Sequence, residues 1–346
     1  MINALMRYGA LTAKVRALYG KRLRLPDFEH MAALSAPSEV LDYLRTQPGW
    51  TAAVSAMSGS YAGRVELEGA LRRQLWKEYL SLSHFAPRED KLLLSFFVLG
   101  SEQRGIMAAL RRLRTGQGRE VALPGEFPQG RVDRKALAQC RDYAGLLSAV
   151  KGSIYYAPLL RLRGQEEGAL PDYTATEALL RTAYFSYLYK IVDAHYHGET
   201  KSVLLRSFGE QVALLNIIHI LRLKTYFPGD NPYYSVLLPF NYKLKPAAVR
   251  SLCAAPDAQA VFSLLKDTPY AGCFENISVD EVEDYYRRAF YLFNKKQLLT
   301  ASPSIYTAVS YLNIKELEFQ ALVNVIESVK YGVPYDDSFA RLIGET

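Results

Sequence analysis

The sequence predicts an all-α fold made of three related helical domains. Helical hydrophobic periodicity runs through almost the whole chain, strand-like alternation is scarce, and one helix signature occurs three times at a near-constant interval. The first copy is Glu68, Leu71, Arg72, Leu75 and Trp76, the second Glu177, Leu180, Arg181, Tyr184 and Phe185, and the third Glu283, Tyr286, Arg287, Phe290 and Tyr291. They stand 109 and 106 residues apart. Positions three, seven and eight past the Glu share one helical face, while Glu and the Arg four residues on form an exposed pair on another. Each copy therefore reads as an amphipathic helix with one buried stripe.

Taken in order, Leu5, Tyr8, Leu11, Val15 and Leu18 form the first stripe, and Pro26 closes that segment. Val40, Leu41, Leu44, Arg45 and Pro48 open a second ladder, echoed by Leu146, Leu147, Val150, Lys151 and Ile154 and by Val261, Phe262, Leu265, Lys266 and Pro269, at offsets of 106 and 115. Recurrence of Arg45, Lys151 and Lys266 is read as helix capping in preference to a charged rim. A third ladder matches Gly105, Ile106 and Arg111 to Asn216, Ile217 and Arg222, then to Leu322, Val323 and Ser328, and Lys224 to Lys330. Pro- and Gly-bearing connectors at 115–130 and 227–246 separate the units, and Leu123, Pro124 and Gly125 correspond to Leu238, Pro239 and Phe240. Leu312, Phe319, Leu322, Val323, Ile326 and Val329 predict a terminal helix, stopped by Gly332 and Pro334. The domains are thus 1–121, 122–230 and 231–346.

Composition narrows the function classes. Apolar residues are 49% of the chain and charged ones 22%, an ordinary globular balance. The apolar runs from Leu92 to Leu99 and from Val212 to Leu221 are too short and too interrupted to span a bilayer. Arg7 and Lys14 precede any acidic residue, but without an apolar core or cleavage site this is a first helix, not a transit peptide. Cys140, Cys253 and Cys273 are odd in number and lack CxxC spacing, which favours a reducing, cytosolic setting. Tyr233 and Tyr234 read as loop ends, and the other tyrosines as packing between helices with the hydroxyl near water. Asn216 and His219, within an apolar run, are expected to bond to a neighbouring helix.

Net charge is +7, and the first 120 residues hold 18 Lys/Arg against 11 Asp/Glu while the remainder hold 24 of each. The densest stretch contains Arg104, Arg111, Arg112, Arg114 and Arg119 with no acid between them. These five are the candidate interface residues, a dock for an acidic or phosphate-bearing partner, set against the plainer reading of favourable charge at a helix C-terminus.

Catalytic motifs are missing. His30, His84, His195, His197 and His219 lack metal-ligand spacing. No Gly-rich stretch runs into Lys-Ser or Lys-Thr, no G-x-S-x-G elbow occurs, and Glu316 and Glu318, two apart on a helix, do not face each other as an acid/base pair. No cofactor, metal or catalytic residue is assigned.

The opening Tyr8-Gly9-Ala10-Leu11-Thr12-Ala13-Lys14-Val15-Arg16-Ala17 and the connector Leu123-Pro124-Gly125, taken with two helix segments, resemble the AC39 family of V/A-type rotary ATPase components, that is, the C-type subunits and their eukaryotic d-type equivalents; the first is similar to the family's opening and the second to its inter-repeat connector. Asn216-Ile217 with Leu221-Arg222-Leu223-Lys224, and Tyr311-Leu312-Asn313-Ile314-Lys315-Glu316-Leu317-Glu318, resemble two of its helix patterns. Gly105 stands where the family usually has Asn, and Ala213 where an acid often precedes Asn216. The resemblance implies a funnel of three helical domains with pseudo-threefold symmetry, a non-catalytic central-stalk component. It would couple central shaft subunits of the D/F type to the membrane proteolipid ring, held at the cytoplasmic side of the membrane through protein contacts, during ion transport or ATP synthesis. The alternative is an α-solenoid adaptor for acidic proteins outside a rotary motor. Nucleic-acid binding is disfavoured, because the positive excess is local and no recognition motif is present.

Overall fold

In the computed structural model, residues 2–55, 57, 64–116, 130–164, 169–227, 236–274, 278–335 and 343 are described, and all regular structure among them is helical. Arg119, the Leu123-Pro124-Gly125 connector, and Tyr233 with Tyr234 lie outside the described residues. The described chain forms two compact units, one of residues up to 97 together with those from 290 onward, the other of 98–116 and 130–289.

The first unit opens with α1 (Ile2–Tyr19), α2 (Leu25–Ala32), α3 (Pro37–Thr46), the single turn α4 (Thr51–Val54), α5 (Arg64–Phe85) and another single turn, α6 (Lys91–Leu94). Leu11 and Val15 of the predicted first stripe are fully buried, but Leu5 projects outward. Pro26 lies in the first turn of α2, not at the end of the first segment. Its missing N–H is no loss where helix donors have no partner in any case. The unit is completed by the end of α15 and by α16, which have the bounds Val282–Thr300 and Ile305–Tyr331. Helix α16 is buried along most of its length and serves as a spine for α1, α2, α3 and α5. Gly332 ends it at φ 62°, a left-handed conformation that glycine adopts without a Cβ penalty.

The second unit holds most of α7 (Phe96–Thr115), then α8 (Arg134–Gln139), α9 (Tyr143–Ala149), α10 (Tyr156–Arg161), α11 (Tyr173–His195), α12 (Gly198–Tyr226), α13 (Pro246–Ala254), α14 (Ala258–Leu265) and the first turns of α15. Asp133, Asp142, Asp172 and Asp257 cap α8, α9, α11 and α14 by accepting a backbone N–H of the first turn. Helix α12 is apolar and long enough to cross a membrane, yet two thirds of its apolar window (67%) is buried inside the structure, as in a core helix. Its Leu214, Ile217, Ile218 and Leu221 pack with Leu252, Val261, Leu265, Tyr270 and Phe274.

The three signature pairs form as their spacing predicts: Arg72–Glu68 at 3.4 Å, Arg181–Glu177 at 2.6 Å and Arg287–Glu283 at 3.3 Å. They are half-buried, however, not on an open surface. Stripe positions three and eight are buried in the first two copies, while Tyr286 of the third and Tyr184 of the second remain half-exposed. Tyrosine hydroxyls also depart from expectation. Those of Tyr143, Tyr155, Tyr270 and Tyr311 bond to Leu159 O, Leu99 O, Glu210 and Glu78, inside the protein instead of facing water.

A recurrent contact organises both units. In the first, Glu318 of α16 accepts the Leu23 N–H at 3.1 Å and the Trp50 indole N–H at 2.8 Å. In the second, Glu102 of α7 accepts the N–H groups of Arg131 and Val132 at 2.7 and 3.1 Å. There also, Asn216 of α12 accepts the Leu238 N–H at 2.8 Å and returns its own amide to the Leu238 carbonyl at 3.0 Å. Leu23, Val132 and Leu238 are 109 and 106 residues apart, the same offsets as the signature glutamates. Each time, one buried side chain on a long helix clasps the backbone that precedes the next short helices. Asn216 thus bonds to an irregular backbone segment instead of a neighbouring helix, because a clasp needs backbone donors that no helix already uses. Glu102 plays the corresponding part on α7, three residues before Gly105.

Gly130 leaves room for the Glu102 carboxylate, since a Cβ there would overlap Oε1. Burial pushes the Glu102 carboxyl above the ordinary carboxylate range, opposed by the two backbone N–H bonds and by Arg134 and Arg131. A folded-state value above the unfolded one means the folded protein holds the proton more tightly, so stability falls as pH rises through that window. Glu102→Gln keeps an acceptor but removes the charge. Relative to wild type, the variant should therefore gain stability as pH rises from the ordinary carboxylate range, as read from urea unfolding at each pH; a constant difference would contradict this assignment.

Candidate partner interface

The arginine stretch lies on the last three turns of α7 and at its end. Arg104 is exposed on the helix. Arg111 donates to the Tyr173 hydroxyl at 2.7 Å and lies over its ring at 5.5 Å. Arg112 is not presented outward: its guanidinium donates to the carbonyls of Leu137 at 3.2 Å, Ala138, and Cys140 at 2.7 Å, at and just past the end of α8. Arg114 donates to Pro171 O at 2.6 Å, just before the Asp172 cap of α11. The fork geometry of guanidinium allows several such bonds at once while the positive charge stays intact.

These arginines do two jobs that the sequence alone cannot separate. Arg112 is a strut that ties α7 to the end of α8, whereas Arg104, Arg111 and Arg114 keep exposed guanidinia. The same strut touches the buried Cys140 thiol at 3.3 Å, where burial pushes the thiol up and the guanidinium partly offsets the effect.

The fold adds three residues to this end of the unit. Arg141 follows the carbonyl that Arg112 caps, and Tyr143 OH donates to Leu159 O at 2.7 Å, which brings the end of α10, with Arg161 and Arg163, to the start of α9. Burial raises that phenol to about 12, so it remains a donor throughout the physiological range. Arg141, Arg161 and Arg163 are exposed. Their weak signal in the sequence was a charge sum over a window that ignores repeat boundaries. Residues 98–163 hold 12 Lys/Arg and 5 Asp/Glu, leaving 30 of each in the rest of the chain.

Nothing else among the described residues assembles a reactive centre. No group of three or more His, Cys, Asp or Glu side chains converges as metal ligands there. His195 and His197 lie at the corner between α11 and α12, and His219 faces Val236 O at 3.4 Å, where burial first, and then Arg181, lower its affinity for a proton. Glu316 pairs with Arg72 at 3.5 Å and Glu318 with Lys315 at 3.2 Å, so the two point to different partners. Cys140 and Cys253 are buried and Cys273 is half-buried.

A search of curated proteins finds no match to the chain. A family model described as "ATP synthase (C/AC39) subunit" matches residues 11–338, nearly the whole sequence, and so takes in both units and all three clasps. The chain therefore belongs to the C/AC39 family of V/A-type ATPase subunits.

Proposed function

We propose that this protein is the non-catalytic central-stalk component that couples the rotating shaft of the soluble ATPase sector, through shaft subunits of the D/F type, to the membrane proteolipid ring. The observation that carries this reading is the family match over residues 11–338. The clasp that recurs at the same offsets supports the division into three repeats, 1–121, 122–230 and 231–346, arranged as a pseudo-threefold funnel. Repeated units around an axis suit a socket for a shaft at one end and a broad face for a ring at the other. Torque passes through such a joint by many modest contacts, so no deep reactive pocket is required. The protein works at the cytoplasmic side of the membrane, held there by protein contacts. Arg104, Arg111 and Arg114 lie on the interface, with Arg112 bracing it; Arg119, outside the described residues, is assigned to it from the sequence alone.

Tagged protein should co-purify from detergent-solubilised membranes with both the shaft subunits and the proteolipid ring. Recovery of acidic soluble proteins with neither would instead favour a general adaptor. Arg104→Glu with Arg111→Glu, leaving the Arg112 strut in place, should reduce recovery of the rotor at about 0.15 M salt several-fold, and more strongly at lower salt. Undiminished recovery would remove these residues from the interface.

A further inference from the structure

One end of the second unit gathers arginines from three stretches of chain. The hydrogen bonds of Arg112 to Cys140 O, Tyr143 to Leu159 O, Arg114 to Pro171 O and Arg111 to Tyr173 hold the ends of α7, α8 and α10 and the starts of α9 and α11 together. Arg111, Arg112, Arg114, Arg141, Arg161 and Arg163 all lie there, and none of them forms an ion pair among the described residues. The two described acids at this end, Asp142 and Asp172, are taken up as helix caps on Gly145 N and Ala175 N. Glu166 and Glu167 follow in the sequence, outside the described residues.

Helix C-termini account for only part of this charge. Each terminus carries roughly half a negative charge, and three of them with two aspartates leave an excess of guanidinium. The net +7 of the whole chain resides within residues 98–163, with the rest balanced, so the molecule carries a directed field. The cationic side chains named at this end are all arginine, whose planar donors match phosphate oxygens in pairs. Leu160, 42% exposed, stands beside Arg161 and Arg163, an apolar residue flanked by cations as at a headgroup boundary. Bases of a nucleic acid would need a free aromatic face, and that of Tyr173 is covered by Arg111.

We propose that this arginine end docks on the anionic phospholipid headgroups of a membrane surface. The inference rests on the proposed function only for placing the protein beside a membrane. It adds a direct lipid contact to the protein contacts described above.

The test is co-sedimentation of the full chain with vesicles of phosphatidylcholine alone or mixed with phosphatidylglycerol, at about 0.15 M salt. Binding is expected to the anionic vesicles only and to fall as salt rises. Arg141→Gln, Arg161→Gln and Arg163→Gln together, at positions with no described intramolecular hydrogen bond from the guanidinium, should weaken it more than tenfold, while the corresponding three Lys variants retain most of it. Equal binding to neutral vesicles would overturn the proposal. So would unchanged binding by the Gln variant, or a loss by the Lys variant as large as that by the Gln variant. Polyglutamate or single-stranded DNA that displaced the protein from vesicles at equal charge would also overturn it, in favour of a general polyanion site. Rotor recovery in detergent is independent of vesicles, so failure here and failure of the stalk assignment give separate results.

Discussion

Glu318→Ala is expected to lower the free energy of unfolding by about 3–5 kcal/mol. The carboxylate is 3% exposed and accepts from three donors: Leu23 N–H, the Trp50 indole and Lys315 Nζ at 3.2 Å. Its removal strands an ammonium that is itself 3% exposed, and leaves two further donors without an acceptor. Lys315 also lies 3.9 Å from the centre of the Trp50 ring, which softens but does not replace the lost charge. The pair is coupled, so Lys315→Met combined with Glu318→Gln should recover most of the loss, because it removes the cation and keeps a neutral acceptor for the two N–H groups. Urea unfolding of the single and double variants checks this. A Glu318→Ala loss below about 1 kcal/mol, the worth of an exposed ion pair, would contradict the buried clasp.

Asn216→Leu should cost about 2–4 kcal/mol despite its hydrophobic surroundings. Leucine has the same branched heavy-atom skeleton, though bulkier, and raises apolar burial, so transfer energy alone predicts a gain. The opposite is expected because the Leu238 N–H loses its acceptor and the Leu238 carbonyl loses one of its two donors, keeping the Phe240 N–H at 2.9 Å. Asn216→Asp separates the two halves, since it keeps an acceptor for the N–H while setting an acidic oxygen against the carbonyl. Hydrogen exchange at the Leu238 amide should quicken strongly in the Leu variant and less in the Asp variant. Slow exchange at that amide in both would show that the clasp does not hold the segment.

The fold class and the signature pairs were legible because each depends on side chains at fixed helical spacing, a pattern that composition noise does not erase. The clasps were not. Glu102, Asn216 and Glu318 stand 114 and 102 residues apart, so they fall out of register with the other ladders, and the acceptor changes between carboxylate and amide. Their partners are backbone N–H groups, which leave no residue type to recognise. At the candidate interface, a run of arginines announced positive charge, but only the fold separates Arg112, engaged with three carbonyls, from its exposed neighbours. Arg141, Arg161 and Arg163 join that end because Tyr143 bridges to Leu159, a contact no periodicity encodes.

Helix α16 also governs how the protein is made. The partners of Glu318 are 295 and 268 residues earlier in the chain, and Tyr311 bonds to Glu78 across 233. During synthesis, the segment up to residue 97 leaves the ribosome long before its central helix exists, with apolar faces of α1, α3 and α5 waiting for cover. Contacts of such separation slow folding and prolong exposure to aggregation, so the first unit completes its core only once α16 has been made.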